Sequence, residues 1–159
     1  MPQLFLQNAQ AYVAWSSGVA RYLTDYAFGN NRILPVAILC RLGNGNFTDT
    51  ALFDTAAPWS VLREDMAQTL EEELGEPGEL ISVKTHMGPI KGYLRTLDIH
   101  LLADLGGTDI KVESTVLVTG DWSGPTVLGF HGFLEKLRFA LDPGVAEGEE
   151  IIYFGPAGA

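Results

Sequence analysis

Cysteine is almost missing from this 159-residue chain: Cys40 is the only one. That excludes an internal disulfide and any multi-cysteine metal site. The three histidines, His86, His100 and His131, lack close metal-ligand spacing, so no metal and no cofactor is expected. Positive charge is scarce too. Ten Lys and Arg stand against twenty Asp and Glu, a formal net charge of -10. A surface that acidic repels phosphate backbones and does not attract anionic lipid, which disfavours nucleic-acid and membrane partners. No apolar run approaches the ~20 residues needed to cross a bilayer; the best stretch, residues 9–20, is short and contains Gln10, Ser16 and Ser17. No basic region followed by an apolar run opens the chain, so a secretory signal is not expected and the cytoplasm is the expected location. What is present is 47% apolar and 19% charged residues, the composition of one globular domain long enough to bury a core without staples.

From residue 33 onward short strands alternate with turn signals. The apolar run 33–40 is bounded by Gly29-Asn30-Asn31 on one side and Gly43-Asn44-Gly45-Asn46 on the other. Asn-Gly between two apolar runs marks a hairpin, with Thr50 to Phe53 as the return strand leading into Asp54. Met66, Ala67, Leu70 and Leu74 recur at helical spacing, which predicts a helix over 63–74, with Glu71, Glu72 and Glu73 on its solvated face. Strands are expected at 80–86, 90–102, 110–118, 138–141 and 150–154, and a short helix at 130–137. The first 32 residues fit a helix stripe through Tyr12, Val19 and Tyr26 and equally fit strands.

The strongest local signal is Leu52-Phe53-Asp54-Thr55-Ala56-Ala57-Pro58-Trp59-Ser60-Val61-Leu62. An apolar strand delivers a carboxylate, small residues follow, and an apolar pair closes the segment. An Asp after a strand is commonly a turn former or a cap. Small residues after it let backbone N–H groups approach the carboxylate and hold it fixed. About 70 residues later comes Val127-Leu128-Gly129, an apolar strand and a glycine, followed by a short helix and another strand that reach Asp142. Together these segments resemble the retropepsin-like aspartic proteases, the single-domain, retroviral type. Asp54-Thr55-Ala56-Ala57 stands where that family has Asp-Thr/Ser-Gly/Ala-Ala, and Val127-Leu128-Gly129 matches its apolar-apolar-Gly element. The resemblance covers residues 33–143.

The resemblance implies a mainly β fold: a closed acid-protease-type barrel with a flap hairpin and one or two short helices. It assigns 33–159 to the protease domain and 1–32 to an N-terminal extension packed on the barrel. It implies an aspartic endopeptidase with one catalytic Asp per subunit, Asp54, working as a homodimer on an extended peptide or protein substrate. Two carboxylates held together share one proton, so that one acts as base on a water while the other protonates the carbonyl oxygen. By the same resemblance Thr55 braces the two loops across the dimer axis, and Ala56 and Ala57 leave room beside the carboxylate. Ser60 reaches back to the loop or stands as a solvated strand residue. Met87, Gly88 and Pro89 occupy the position of the flap, a reading set against an ordinary hairpin turn. Val127, Leu128 and Gly129 support the loop. Trp59 lines a cleft or packs in the core, as does Trp122.

The sequence also departs from the family. An acidic residue after the Ala often pairs with an Arg after the later Gly. Here Pro58-Trp59 and Phe130-His131 stand there, so that ion pair is missing and apolar packing is the substitute to look for. Two other readings stay open: a non-catalytic peptide-binding or dimerisation module of the same fold, and an unrelated β-barrel for small ligands with Asp54 as a turn residue. Cys40, in an apolar strand, is expected to be buried and inert.

Overall fold

The computed structural model describes residues 3–7, 11–30 and 32–158; Ala9, Gln10 and Asn31 lie outside the described residues, as do the side chains of Leu6 and Val13. The N-terminal residues, open to helix or strand by sequence, form strands. β1 (Phe5–Gln7) pairs with β2 (Tyr12–Ala14), β3 (Gly18–Arg21) follows, and β4 (Tyr26–Phe28) pairs with β5 (Arg32–Leu34). Pro35 has no N–H to give to a ladder, and the apolar run 33–40 is divided there between β5 and β6 (Ala37–Leu42). The Asn-Gly turn then returns the chain as β7 (Thr48–Phe53), antiparallel to β6.

After β7 come β8 (Ser60–Val61) and α1 (Glu64–Thr69). The helix is shorter than its periodicity predicts; residues 70–73 continue as turns, with Leu70 and Leu74 still buried. β9 (Leu80–Thr85) and the 14-residue β10 (Gly88–Leu101) make a hairpin, followed by β11 (Gly106–Gly107), β12 (Ile110–Val118) and β13 (Val127–Leu128). The helix expected over 130–137 is reduced to a 3-10 turn at Leu134–Lys136. Gly132 sits at φ +77°, which a right-handed helix cannot accommodate, and its amide bonds to the Glu135 carboxylate instead of a helical carbonyl. β14 (Leu137–Asp142) and β15 (Ile151–Pro156) complete the chain.

Six of these strands form a hydrogen-bonded ring in the order β12, β8, β13, β7, β6, β10, closed by the pairing of β10 with β12. Period-two alternation points one face of each strand inward, as in β12, where Val112, Ser114 and Val116 are buried and Lys111 and Glu113 are exposed. The interior holds Ile38, Leu42, Leu97, Ile99, Leu101 and Leu128, each at 3% exposure or less; burying such a side chain is worth about 1.5–3 kcal/mol. Cys40 is fully buried there, and burial pushes its thiol pKa upward, away from reactivity.

A second, antiparallel sheet runs β11-β3-β15-β14. Residues before 33 are integrated with the rest: β3 pairs between β15 and β11, and Ala20 and Tyr22 join the main core. The β4–β5 hairpin spans the position where the sequence suggests a boundary at 32. Among the described residues no helix is long and apolar enough to cross a membrane.

Candidate active site

β13 is inserted between two strands of an earlier segment. It runs parallel to β7 (Val127 with Leu52, Leu128 with Phe53) and antiparallel to β8 (Val127 with Val61). The chain from Asp54 to Trp59 bridges β7 and β8, so the loop after β13 emerges directly beside it. Backbone bonds clamp the two loops: the Asp54 amide donates to the Leu128 carbonyl at 3.0 Å, Phe130 N–H to Ala57 O at 2.8 Å, and His131 N–H to Pro58 O at 2.9 Å. Asp54 is thereby held at the end of a strand whose last residue, Phe53, is buried. Its Oδ1 accepts the Ala56 amide at 2.9 Å, an approach that the small side chains at 56 and 57 leave open.

Ser60 is buried, and its hydroxyl accepts the Gly129 amide at 2.9 Å. It is thus buried where one reading has it solvated, and it reaches the neighbouring loop after β13 where the other has it reaching the Asp54 loop. Gly129 has no space for a side chain: a Cβ there would overlap the Trp59 carbonyl group and lie 2.7 Å from the Ser60 nitrogen. Backbone cannot yield as a flexible side chain can. Gly129→Ala is therefore expected to lower stability by about 3 kcal/mol, at the upper end of overpacking costs, measured by urea denaturation. A loss under about 1 kcal/mol would mean that the clamp tolerates separation.

Asp54 opens into a cleft of about 190 Å³. Its floor is the smaller apolar cluster, including Val61, Ile90, Trp122 and Val127, and Ala56, Ala57, Pro58 and Trp59 form the Asp54 side. The β9–β10 hairpin supplies the opposite wall through Val83, Lys84, Thr85 and His86. Met87 lies at the hairpin tip, 51% exposed, with Gly88 and Pro89 opening β10; these three are not cleft-lining residues, so the wall is made by the arm of the hairpin. Thr85 fixes the tip by accepting the Met87 amide and donating to the Gly88 carbonyl, and Gly88 adopts φ +107°, a conformation that disfavours any side chain. Thr55 is exposed outside the cleft, and Leu128 is buried beneath it.

At the positions where the ion pair is missing, rings meet instead. Trp59 and His131 are bridge partners with ring centroids 5.3 Å apart, and Phe130 lies edge-on to His131 at 5.3 Å. Phe130 is 44% exposed, and Pro58, whose carbonyl accepts the His131 amide, is exposed too, giving apolar surface on the clamped loops next to Asp54. His131 lies 3.6 Å from the Glu135 carboxylate, whose pKa is lowered first by its bond from the Gly132 amide.

Two features of the region escape the motif reading. Arg32, from the N-terminal hairpin, lines the cleft. Asp49, at the start of β7, is buried, with Oδ1 3.0 Å from Arg63 and Oδ2 accepting the Thr126 hydroxyl at 2.6 Å. Its signal was available: Asp49, Ala51 and Phe53 fall on the same inward face of β7.

The third buried polar centre is away from the cleft. His100 faces Arg41 across β10 and β6, and Arg41 Nη2 lies 3.0 Å from His100 Nδ1. Arg41 can only donate, so Nδ1 accepts and the proton resides on Nε2, on the side of the Gly43 backbone. Burial first, then the Arg41 charge, lowers the His100 pKa; Lys111 acts in the same direction and Asp98 against it. With the folded value below the unfolded one, the unfolded chain binds more protons in the window between them. Stability is then complete above the ordinary histidine pKa of about 6.5 and declines as pH falls through that value toward the folded one. Denaturation midpoints taken between about pH 7.5 and 5 are expected to fall toward acid, and His100→Gln to flatten that slope. An unchanged slope in the variant would remove His100 as its cause.

Among the described residues no group of three or more His, Cys, Asp or Glu is placed to hold a metal ion. No protein-family model matches the chain, and no curated protein matches it at a significant level.

Proposed function

We propose that the protein is an aspartic endopeptidase of the retropepsin-like type, active as a homodimer, with Asp54 of each copy forming the catalytic pair. The observation that carries this reading is the insertion of β13 between β7 and β8, which presents Asp54 in a cleft walled by the β9–β10 hairpin. The ring of strands is read as the acid-protease barrel and the hairpin as its flap. The exposed Phe130 and Pro58, adjoining Asp54, support a dimer held by apolar packing in place of the absent ion pair.

In this mechanism an extended peptide lies in the cleft between Asp54 and the flap arm. The two Asp54 carboxyls share one proton, because like charges about 3 Å apart cannot both ionise, as in aspartic proteases generally. The ionised member takes a proton from a water positioned between them, and the resulting hydroxide attacks the scissile carbonyl. The protonated member gives its proton to the carbonyl oxygen, and the tetrahedral diol then collapses: the C–N bond breaks, the nitrogen leaves with the proton that came from the water, and a diol hydroxyl returns one proton to the Asp54 pair. The Ala56 amide holds one carboxylate oxygen in place throughout, and flap closure excludes bulk water. Peptide cleavage by the wild-type chain, rising with dimer concentration and lost in Asp54→Asn, is the test. A strictly monomeric protein active as such overturns it. The second reading, a peptide-binding module, draws on the same cleft without the chemistry.

A further inference from the structure

We infer that the cleft contains a subsite for an acidic side chain of the peptide, built on Arg32. This rests on the reading of the cleft as the peptide site and names the kind of peptide it takes. The cleft's charge is opposite to that of the molecule. The chain as a whole has two acids for every base, yet Arg32 and Lys84 line the cleft against one carboxylate, Asp54. Arg32 is also held in place. It comes from β5 of the N-terminal hairpin, is half-buried, and lies with its guanidinium 5.8 Å from the centre of the Trp122 ring. One of its Nη atoms lies 3.9 Å from the Met87 sulfur at the hairpin tip.

What it lacks is an anion. Among the described residues no carboxylate pairs with Arg32 or with Lys84, whereas Arg63 and Arg95 each have a Glu or Asp. A guanidinium held over an aromatic ring by its charge keeps N–H groups available, and their fork matches a carboxylate. Trp122 and Met87 fix its position without neutralising it, so little ordering remains to be done when an anion arrives. A phosphate backbone fits the same cation, but the net charge of -10 opposes a polyanion far more than a peptide carrying one or two acids. Screening over about 8 Å at physiological ionic strength confines the repulsion from the outer surface, so the cleft's own sign decides which peptide is retained. The N-terminal residues thereby supply a specificity determinant to a site whose Asp54 lies beyond residue 33.

A mixed peptide library tests this with two readouts. Peptides cleaved by the wild-type chain are expected to be enriched in Asp or Glu at one fixed position relative to the scissile bond. Arg32→Gln is expected to lower the preference for Glu over Gln there by about tenfold, the effect of losing a charge-assisted hydrogen bond. Arg32→Lys should retain part of it, and Arg32→Glu should turn it toward Lys and Arg. Cleavage with no acidic enrichment, or enrichment undiminished in folded Arg32→Gln, overturns the subsite while leaving the protease reading intact. The second readout is the peptide fraction retained by immobilised protein. If nothing is cleaved, Arg32-dependent retention of acidic peptides supports the subsite while the protease reading fails. Retention without acidic bias overturns the subsite as well.

Discussion

Replacing Asp54 by Asn is expected to reduce peptide cleavage by at least about a thousandfold, because in a homodimer one substitution removes both halves of the acid-base pair. Asn keeps the volume of Asp and an oxygen that can accept the Ala56 amide, so the loop from β7 to β8 and its clamp to the β13 loop persist. What it loses is the ability to take and return a proton. The effect falls on turnover and not on folding, which matching unfolding midpoints for the two proteins would verify. Binding of uncleaved peptide should change little, since the apolar floor and the hairpin wall are untouched. Mass-spectrometric mapping of a peptide library between about pH 3 and 7, with both proteins, reads the rate and the cleavage preference together. Equal cleavage by both would remove Asp54 from the chemistry. No cleavage by either, from folded and dimeric protein that retains peptides, would favour the binding module.

The parts of this molecule readable in advance were those governed by local pattern. β12 follows its β-branched alternation, and the Asn-Gly turn of the first hairpin and the Asp54 loop stand where composition and turn chemistry put them. Three things depended on tertiary context. The helical stripe at 63–74 is cut to one short helix because Gly75 and Gly78 draw the chain back to β10 through bonds with Thr96 and Leu94. The helix predicted at 130–137 gives way to a turn because Gly132, Glu135 and the clamp to Ala57 and Pro58 claim its backbone groups. The first 32 residues have no stable alternation of their own, and β3 becomes a strand through its partners β11 and β15. The same distance effect hid Arg32 from a motif search, since 22 residues separate it from Asp54. Asp49 was visible as an acid but not as a paired one, because its partners lie 14 and 77 residues away.

Arg63→Met is expected to cost about 3 kcal/mol of stability. The reason is the group left behind. The Asp49 side chain is only 4% exposed, and among the described residues Arg63 is the one cation that reaches it, at 3.0 Å. With Met in place the carboxylate keeps the Thr126 hydroxyl and loses its countercharge, and an uncompensated buried charge is far more costly than an intact pair is stabilising. Arg63 also carries Asp65 through its Nε, and its own amide donates to Thr126 Oγ1, so β7, β13 and the start of α1 meet at this one cluster. For a urea m-value of about 2 kcal/mol/M the midpoint should fall by about 1.5 M. Arg63→Lys should lie between, keeping the charge but not the fork. The decisive comparison is Asp49→Asn with Arg63→Met in one chain. Asn still accepts from Thr126 without bringing a charge, so the double variant should recover at least about 1 kcal/mol over Arg63→Met alone. Strict additivity of the two single losses would show that the cluster stabilises by packing and not by pairing. The backbone bonds that clamp Asp54 involve none of the side chains of Asp49, Arg63 and Thr126, so cleavage should fall as the folded population falls and no further.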